Sequence, residues 1–448
     1  MSRSGVTVVV VPPATANGPL HVGHLSGPYL AADLAARAAR ARGERVVATA
    51  GFDVHQNWVL TRAESEGVPV EKLAAAFRDE IIGALDAARI RYDVFLDPQS
   101  AAYRRGVTTL AADLTEAGRF PMRKITLLAC EDCERTLHQS YVVGTCSWCG
   151  SGAAGGGCEG CGGYTAADNL TDAVCNRCGG RPRPFQATVP VLSLEDYRQE
   201  LIEVWLRAEL NDRARQIVTH YLERRLPDIP LAYPTNWGLE GTGPHEGLRL
   251  EVYAEVGLST VYGVAQGVQP GAVGLEATSR AMAEVGSWWH FNGIDNGFYF
   301  TMFWPALYVA CGVPVDAIGG AQVNEFYTLD GAKFSTSRNH AIWANDFLAD
   351  EDVDIVRLYL AWDRPDRYAS DFTESSYREF EAWVRPLLDG AVRVPALPAA
   401  LAEADVQRGT AALRLRGFDP ALAARSVLNG LAAGAPGARE LLAILTGR

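Results

Sequence analysis

The chain has 448 residues, 48% of them hydrophobic and 21% charged, with a formal net charge of −12. That is too long for one core and points to two or three domains of a globular protein. No run approaches a membrane span, Met1–Gly5 carries no signal-peptide pattern, and the acidic balance works against sequence-independent binding of a polyanion; a cytoplasmic chain is expected. Val6–Val11, with Thr7 inside it, reads as a buried parallel strand. Helical spacing over Tyr29–Arg42 stops at Gly43, and Val46–Gly51 forms a second strand. A helix over Glu71–Arg89, a short strand Tyr92–Leu96 and a helix over Ala101–Gly118 follow. Cysteine, glycine and short polar segments then dominate from Phe120 to Phe185, where no helix of any length is expected. Helices over Ser193–Arg207 and Asp212–Arg225 lead to a second half of the sheet. That half is expected to return near Tyr233, with the run Leu248–Ala254 and then Trp288–Asp295. A helix over Phe298–Cys311, another near Asp352–Trp362, a Pro/Ala linker at Pro395–Ala402 and two short helices over Ala421–Leu445 complete the reading.

Eight of the nine cysteines fall in four C-x-x-C pairs: Cys130/Cys133, Cys146/Cys149, Cys158/Cys161 and Cys175/Cys178. In a cytoplasmic chain this spacing favours two closed, structural zinc-thiolate sites over disulfides or an iron–sulfur cluster. Spacing alone leaves the pairing, nested or sequential, open. Cys311 lies in an apolar helix and reads as a core thiol.

Two further stretches carry chemistry. Between the first strand and its helix lies Ala16-Asn17-Gly18-Pro19-Leu20-His21-Val22-Gly23-His24. A helix start offers free N–H groups to phosphate, two imidazoles can donate to phosphoryl oxygens, and a glycine between them admits a flat ring. Some 300 residues later comes Asp330-Gly331-Ala332-Lys333-Phe334-Ser335-Thr336-Ser337-Arg338. Together they resemble the H-I-G-H and K-M-S-K-S signatures of class I aminoacyl-tRNA synthetases. The second lysine of that loop is Thr336 here, leaving Lys333 and Arg338 to hold the charge. Phe303-Trp304-Pro305-Ala306, Gly293-Ile294-Asp295 and the cysteine-rich insertion are similar to methionyl-tRNA synthetases, over about residues 5–375.

The resemblance implies an α/β fold: a split Rossmann-type (HUP) catalytic domain with a zinc-binding insertion and a small C-terminal helical segment. The expected division is 1–118, first half of the catalytic domain; 119–190, insertion; 191–325, helices and second half; 326–375, the loop of Lys333 and the stem contact; 376–448, a C-terminal segment short against the family's anticodon-binding bundle. It implies ATP and Mg²⁺, with His21, His24, Lys333, Ser335 and Ser337 catalytic and Asn17, Gly23, Gly293, Asp295 and Lys333 holding ATP. It further implies nested zinc pairing: Cys130, Cys133, Cys175 and Cys178 on one ion, Cys146, Cys149, Cys158 and Cys161 on the other. Asp53 matches the aspartate that holds the α-amino group. Pro13, Tyr253, Thr260, Asn296 and Phe300 occupy the side-chain pocket and differ from the methionine-specific residues, so a changed amino acid is expected. The chain also resembles the synthetase domain of cupin-associated hydrazine synthetases. From this, the short C-terminal segment and the acidity, the expected acceptor is a small amine or hydroxylamine rather than tRNA, any cupin being a separate partner. A tRNA ligase of methionyl type and an inactive zinc-binding paralogue are the alternatives.

Overall fold

The fold is that of a computed structural model, which describes residues 5–334, 340–366, 368–390 and 397–448. Its centre is a six-stranded parallel sheet: five main strands, β1 (Val6–Val10), β2 (Val46–Asp53), β3 (Val94–Leu96), β4 (Val285–Gly293) and β5 (Ile318–Asn324), and the two-residue strand Ala14–Thr15, which pairs with the end of β2. In space they run β5-β4-β1-β2-β3. β1 is apolar on both faces because both are covered: Val9 packs into one core, Val6, Val8 and Val10 into the other. The chain leaves β1 towards β2 and β3, then returns on the other side of β1 as β4. This makes the carboxyl ends of β1 and β4 a topological switch point, where a crevice opens.

The first helix begins earlier than its apolar spacing suggests. His21 is the N-cap of a turn at Val22–His24, a wider π-type turn Leu25–Tyr29 follows around Pro28, and the regular helix Leu30–Ala41 continues from it. The expectation that the sheet resumes near Tyr233 is corrected. Ala232–Tyr233 pairs only with Arg249–Leu250 in a separate hairpin, and β4 starts at Val285. The run Leu248–Ala254 instead leads into a helix, Val252–Val268, which is buried nearly all round. A helix without a polar face carries no 3.6-residue periodicity, which is why its sequence is silent.

The insertion is a β arm. Met122–Cys130 and Arg183–Ser193 pair antiparallel from Met122↔Pro190 to Ala129↔Arg183, and the four C-x-x-C turns hang from their far end. Between them the helical content is one 3₁₀ turn, Gln139–Tyr141.

The C-terminal region differs from expectation at its start, since residues 399–411 form a helix rather than a linker. Pro398 supplies the N-cap, and the following Ala-rich run has high helix propensity. This helix, Pro420–Ala433 and Ala438–Thr446 share one core with the helix Leu30–Ala41 and with Val353–Trp362. One buried cation joins them. Arg357, 1% exposed, donates from Nη2 to Asp33 (2.7 Å), from Nη1 to the Ala88 carbonyl (2.7 Å) and from Nε to the Leu445 carbonyl (2.9 Å). Replacing Arg357 by Met leaves Asp33 buried with Arg37 and the Arg91 amide as its partners and takes the guanidinium from the Ala88 and Leu445 carbonyls. The expected loss is about 3–5 kcal/mol in urea denaturation, with Asp33→Asn losing less because three of the four chain segments remain tied.

Candidate active site

The crevice at the carboxyl ends of β1 and β4 is a cleft of about 770 Å³. Pro12–Pro19 and His21–His24 form one side of it, Gly293–Asn296 the floor, and Asn324–Tyr327 with Lys333 and Phe334 the mouth. Of the residues expected to hold ATP, Asn17, Gly23, Gly293, Asp295 and Lys333 all line it.

His21 and His24 form a reciprocal cap. The His21 amide donates to Nδ1 of His24 (3.2 Å), and the His24 amide donates to Nδ1 of His21 (3.3 Å). The rings stack with centroids 3.7 Å apart. A nitrogen that accepts a backbone N–H carries no proton, so each neutral ring holds its proton on Nε2. Neutrality is enforced: burial takes His24 down to about 4, and burial, His24 and Lys333 hold His21 well below the ordinary imidazole range. Two Nε2–H donors are thereby fixed at the start of a helix, the geometry that receives an oxyanion. A Cβ on Gly23 would lie 3.1 Å from the His21 ring and 3.4 Å from Phe334, so the glycine is needed for this stack.

At the other end the cleft is acidic. Asp53, the last residue of β2, is buried and accepts the Gln56 amide (3.2 Å). Burial, reinforced by Glu255, pushes its carboxyl up to about 8. Glu255 accepts from His55 Nδ1 (2.8 Å) and from the Tyr103 hydroxyl (2.9 Å). Burial opposes charge on His55, but Glu255 outweighs it and the pKa is raised. A cation delivered here meets the Asp53 carboxyl in a low-dielectric wall, while Glu255 is buried outside the lining and acts on Asp53 only through its charge.

Pro13, Tyr253 and Asn296 line the cleft beside this group, with Pro12, Val256 and Trp304. Tyr253 stacks on Tyr299 (3.6 Å, 12°), and Trp304 donates to the Tyr253 carbonyl (2.9 Å). Thr260 and Phe300 are not in the lining. Thr260 is 6% and Phe300 1% exposed; Thr260 turns its hydroxyl back onto the Val256 carbonyl of its own helix (2.8 Å), and Phe300 belongs to the core. The expectation that these two form the pocket is not met in the described lining, which holds Tyr253, Val256 and Trp304 and neither Thr260 nor Phe300. Asn292, next to Gly293, is fully buried with neither amide atom bonded.

Ser335 and Ser337 fall outside the described residues. Lys333 lies inside them, its ammonium 2.5 Å from Glu159 and 4.6 Å from the centroid of the Phe326 ring.

The eight clustered thiols form two groups, Cys130/Cys133/Cys175/Cys178 and Cys146/Cys149/Cys158/Cys161, each with its sulfurs within 4.8 Å of one another. The grouping is nested. Individual Sγ–Sγ distances are 3.4, 3.5, 3.8 and 3.8 Å. A tetrahedral ion with ~2.3 Å bonds to sulfur sets its ligands about 3.8 Å apart, so both groups fit a closed zinc-thiolate site.

Sequence reasoning missed His55, Glu255, Gln56 and Glu159. Glu255 had a readable signal, being an acid inside the apolar run Val252–Val268. Glu159 had none, since its partner is distant in sequence.

A sequence model of the family described as tRNA synthetases class I (M) matches residues 7–381. A methionine–tRNA ligase of Dehalococcoides mccartyi is 31% identical over 381 residues, covering 82% of this chain and 66% of that protein. Those of Thermomicrobium roseum and Methanocaldococcus jannaschii are 30% and 27% identical, covering 81% and 82% of this chain but 63% and 55% of themselves. The chain thus spans roughly half to two thirds of these relatives' own lengths. A solved structure of Mycobacterium tuberculosis methionyl-tRNA synthetase bound by methionyl-adenylate superposes with a TM-score of 0.71 at 18% identity, over 96% of this chain and 83% of that one, and shows the shared fold. With the family match running over residues 7–381, the chain belongs to the class I tRNA synthetases of the M type.

Proposed function

We propose that the cleft activates an amino acid with ATP, forming an aminoacyl-adenylate and pyrophosphate. The observation that carries this reading is the pair of neutral imidazoles whose Nδ1 atoms both accept backbone amides, leaving an Nε2–H on each, in a cleft that Lys333 also lines. The substrate ammonium is held by Asp53, with the buried charge of Glu255 acting on it from outside the lining. Its carboxylate oxygen then bonds to the α-phosphorus while the bond from that phosphorus to the bridging oxygen of pyrophosphate breaks. His21 and His24 donate to the phosphoryl oxygens as charge spreads onto them, and Lys333 meets the departing pyrophosphate. Gly293 and Asp295 form the floor on which the nucleoside rests. Mg²⁺, when bound, neutralises part of the triphosphate charge and rides on the phosphates rather than in a protein cage.

The relatives compared are named methionine–tRNA ligases, and this moves the acceptor from the small amine expected from the sequence to tRNA, with methionine as the amino acid. A second reading keeps another amino acid and a small amine or hydroxylamine acceptor. It is favoured by the hydroxyl of Tyr253 and the amide of Asn296 in the pocket wall, polar groups a thioether does not use, and by the net charge of −12. Pyrophosphate exchange across the common amino acids, followed by transfer of the labelled substrate to total tRNA, separates the two. Stable methionyl-tRNA is the outcome of the first; exchange with another amino acid and no stable tRNA product is that of the second. In either case His24→Ala and Lys333→Ala slow exchange about a hundredfold, the usual size of one lost transition-state charge contact. Unchanged exchange in His24→Ala removes the activation reading itself.

Asp53 gives the pH dependence. A carboxyl titrating at about 8 is neutral below that pH and charged above it, and only the charged form pairs with an ammonium. The kcat/KM for the amino acid should therefore rise about fivefold from pH 7 to pH 8, reporting the coupled Asp53–Glu255–His55 group, and Asp53→Asn should be low and flat.

We assign the two thiolate groups to structural zinc. Metal analysis should return two zinc ions per chain, and Cys130→Ser should leave one. Chelation should lower the melting temperature of the whole protein, because ion binding and folding of the arm are one equilibrium.

A further inference from the structure

The inner cysteine group sits beside the cleft. Its turn Cys158-Glu159-Gly160-Cys161 is tied down at several points. The Phe298 amide donates to the Gly162 carbonyl (2.8 Å), and the Tyr299 hydroxyl donates to the Gly156 carbonyl (2.5 Å). Arg213 bridges the Gly160 carbonyl (3.1 Å) and Glu325 (2.6 Å). The backbone that carries Glu159 is therefore fixed against both the floor and the mouth of the cleft, although the Glu159 side chain is 72% exposed. Its carboxylate reaches across to Lys333 at 2.5 Å. Lys333 lines the same cleft as His21 and Asp295, where the activation reading places the phosphates.

We propose that Glu159 is a positioning residue: it is the resting partner of Lys333, holding the ammonium at the cleft mouth and handing it over to the triphosphate. This rests on the activation reading above. An exposed pair of two long side chains is weak, and a hand-over requires that weakness. Triphosphate carries several charges into the same space and displaces the carboxylate. When pyrophosphate departs, Glu159 takes the ammonium back and opposes rebinding of the product. The carboxylate thus costs some affinity for ATP and favours turnover. Its place between two cysteines of the inner group sets that group beside the cleft, although no cysteine of either group is in the described lining.

The test is a double-mutant cycle read by calorimetric binding of ATP and of pyrophosphate to the full chain, with zinc content and melting temperature measured for every variant. Glu159→Gln should tighten both ligands about threefold to fivefold while leaving two zinc ions and the melting temperature unchanged. In the Lys333→Ala background the same substitution should have a distinctly smaller effect, because only direct repulsion between Glu159 and phosphate remains to be relieved. Glu159→Asp should fall between wild type and Glu159→Gln. Equal effects in the two backgrounds, or no tightening, overturn the hand-over while leaving the activation reading intact. A wild-type chain that binds neither ligand and supports no exchange overturns both.

Discussion

The structure depends on the parallel pairing of β1 with both β2 and β4. A strand flanked on both sides has no free edge, and with both faces covered it can consist of little but valine. Because β4 arrives from far along the chain, the pairing Val8↔Trp288 and Val10↔His290 brings two distant segments into register. Everything chemical is mounted on that register. His21 and His24 follow β1, Asp53 ends β2, Gly293 and Asp295 follow β4, and Asn324 ends β5. A slip of the ladder by one residue would turn His290 and Asn292 to the other face and misplace the floor of the cleft.

Electrostatically the cleft is divided. One end carries neutral imidazoles and one ammonium; the other presents the Asp53 carboxyl, with the buried Glu255–His55 pair acting on it. Both ends use burial as the tuning device, pushing imidazoles towards neutrality and carboxyls towards protonation. On the proposed activation, a substrate with an ammonium and a carboxylate on one carbon fits this polarity in a single orientation, its carboxylate turned to the phosphates.

The β arm and the C-terminal helices play opposite parts. The arm comes back to the cleft, where Gly156 and Gly162 are bonded to Tyr299 and Phe298 and Glu159 joins the wall. The C-terminal helices stay on the far side of the sheet, in the core of Leu34 and Ala35, where Arg357 binds the last helix to the first. Metal would therefore be felt at the substrate, and loss of Arg357 in the stability of the whole sheet.

Strands, most helices, the paired motifs and the four C-x-x-C turns were legible in the chain, because each depends on neighbours within a few residues: β-branched runs, 3.6-residue spacing, a cysteine every third position. Asp53 was legible by its place at the end of a strand. The helix Val252–Val268 was not, since full burial erases the periodicity that reveals a helix. Nor was the absence of Thr260 and Phe300 from the described lining, which packing between two helices decides. The grouping of eight identical thiols was open to either pairing on spacing alone, and the β arm settled it by bringing the outer turns together at its end. Glu255 beside His55, and Glu159 beside Lys333, lie furthest from anything local sequence can express. Complementary charges far apart in a chain carry no mark of one another until the sheet has closed and the arm has folded back.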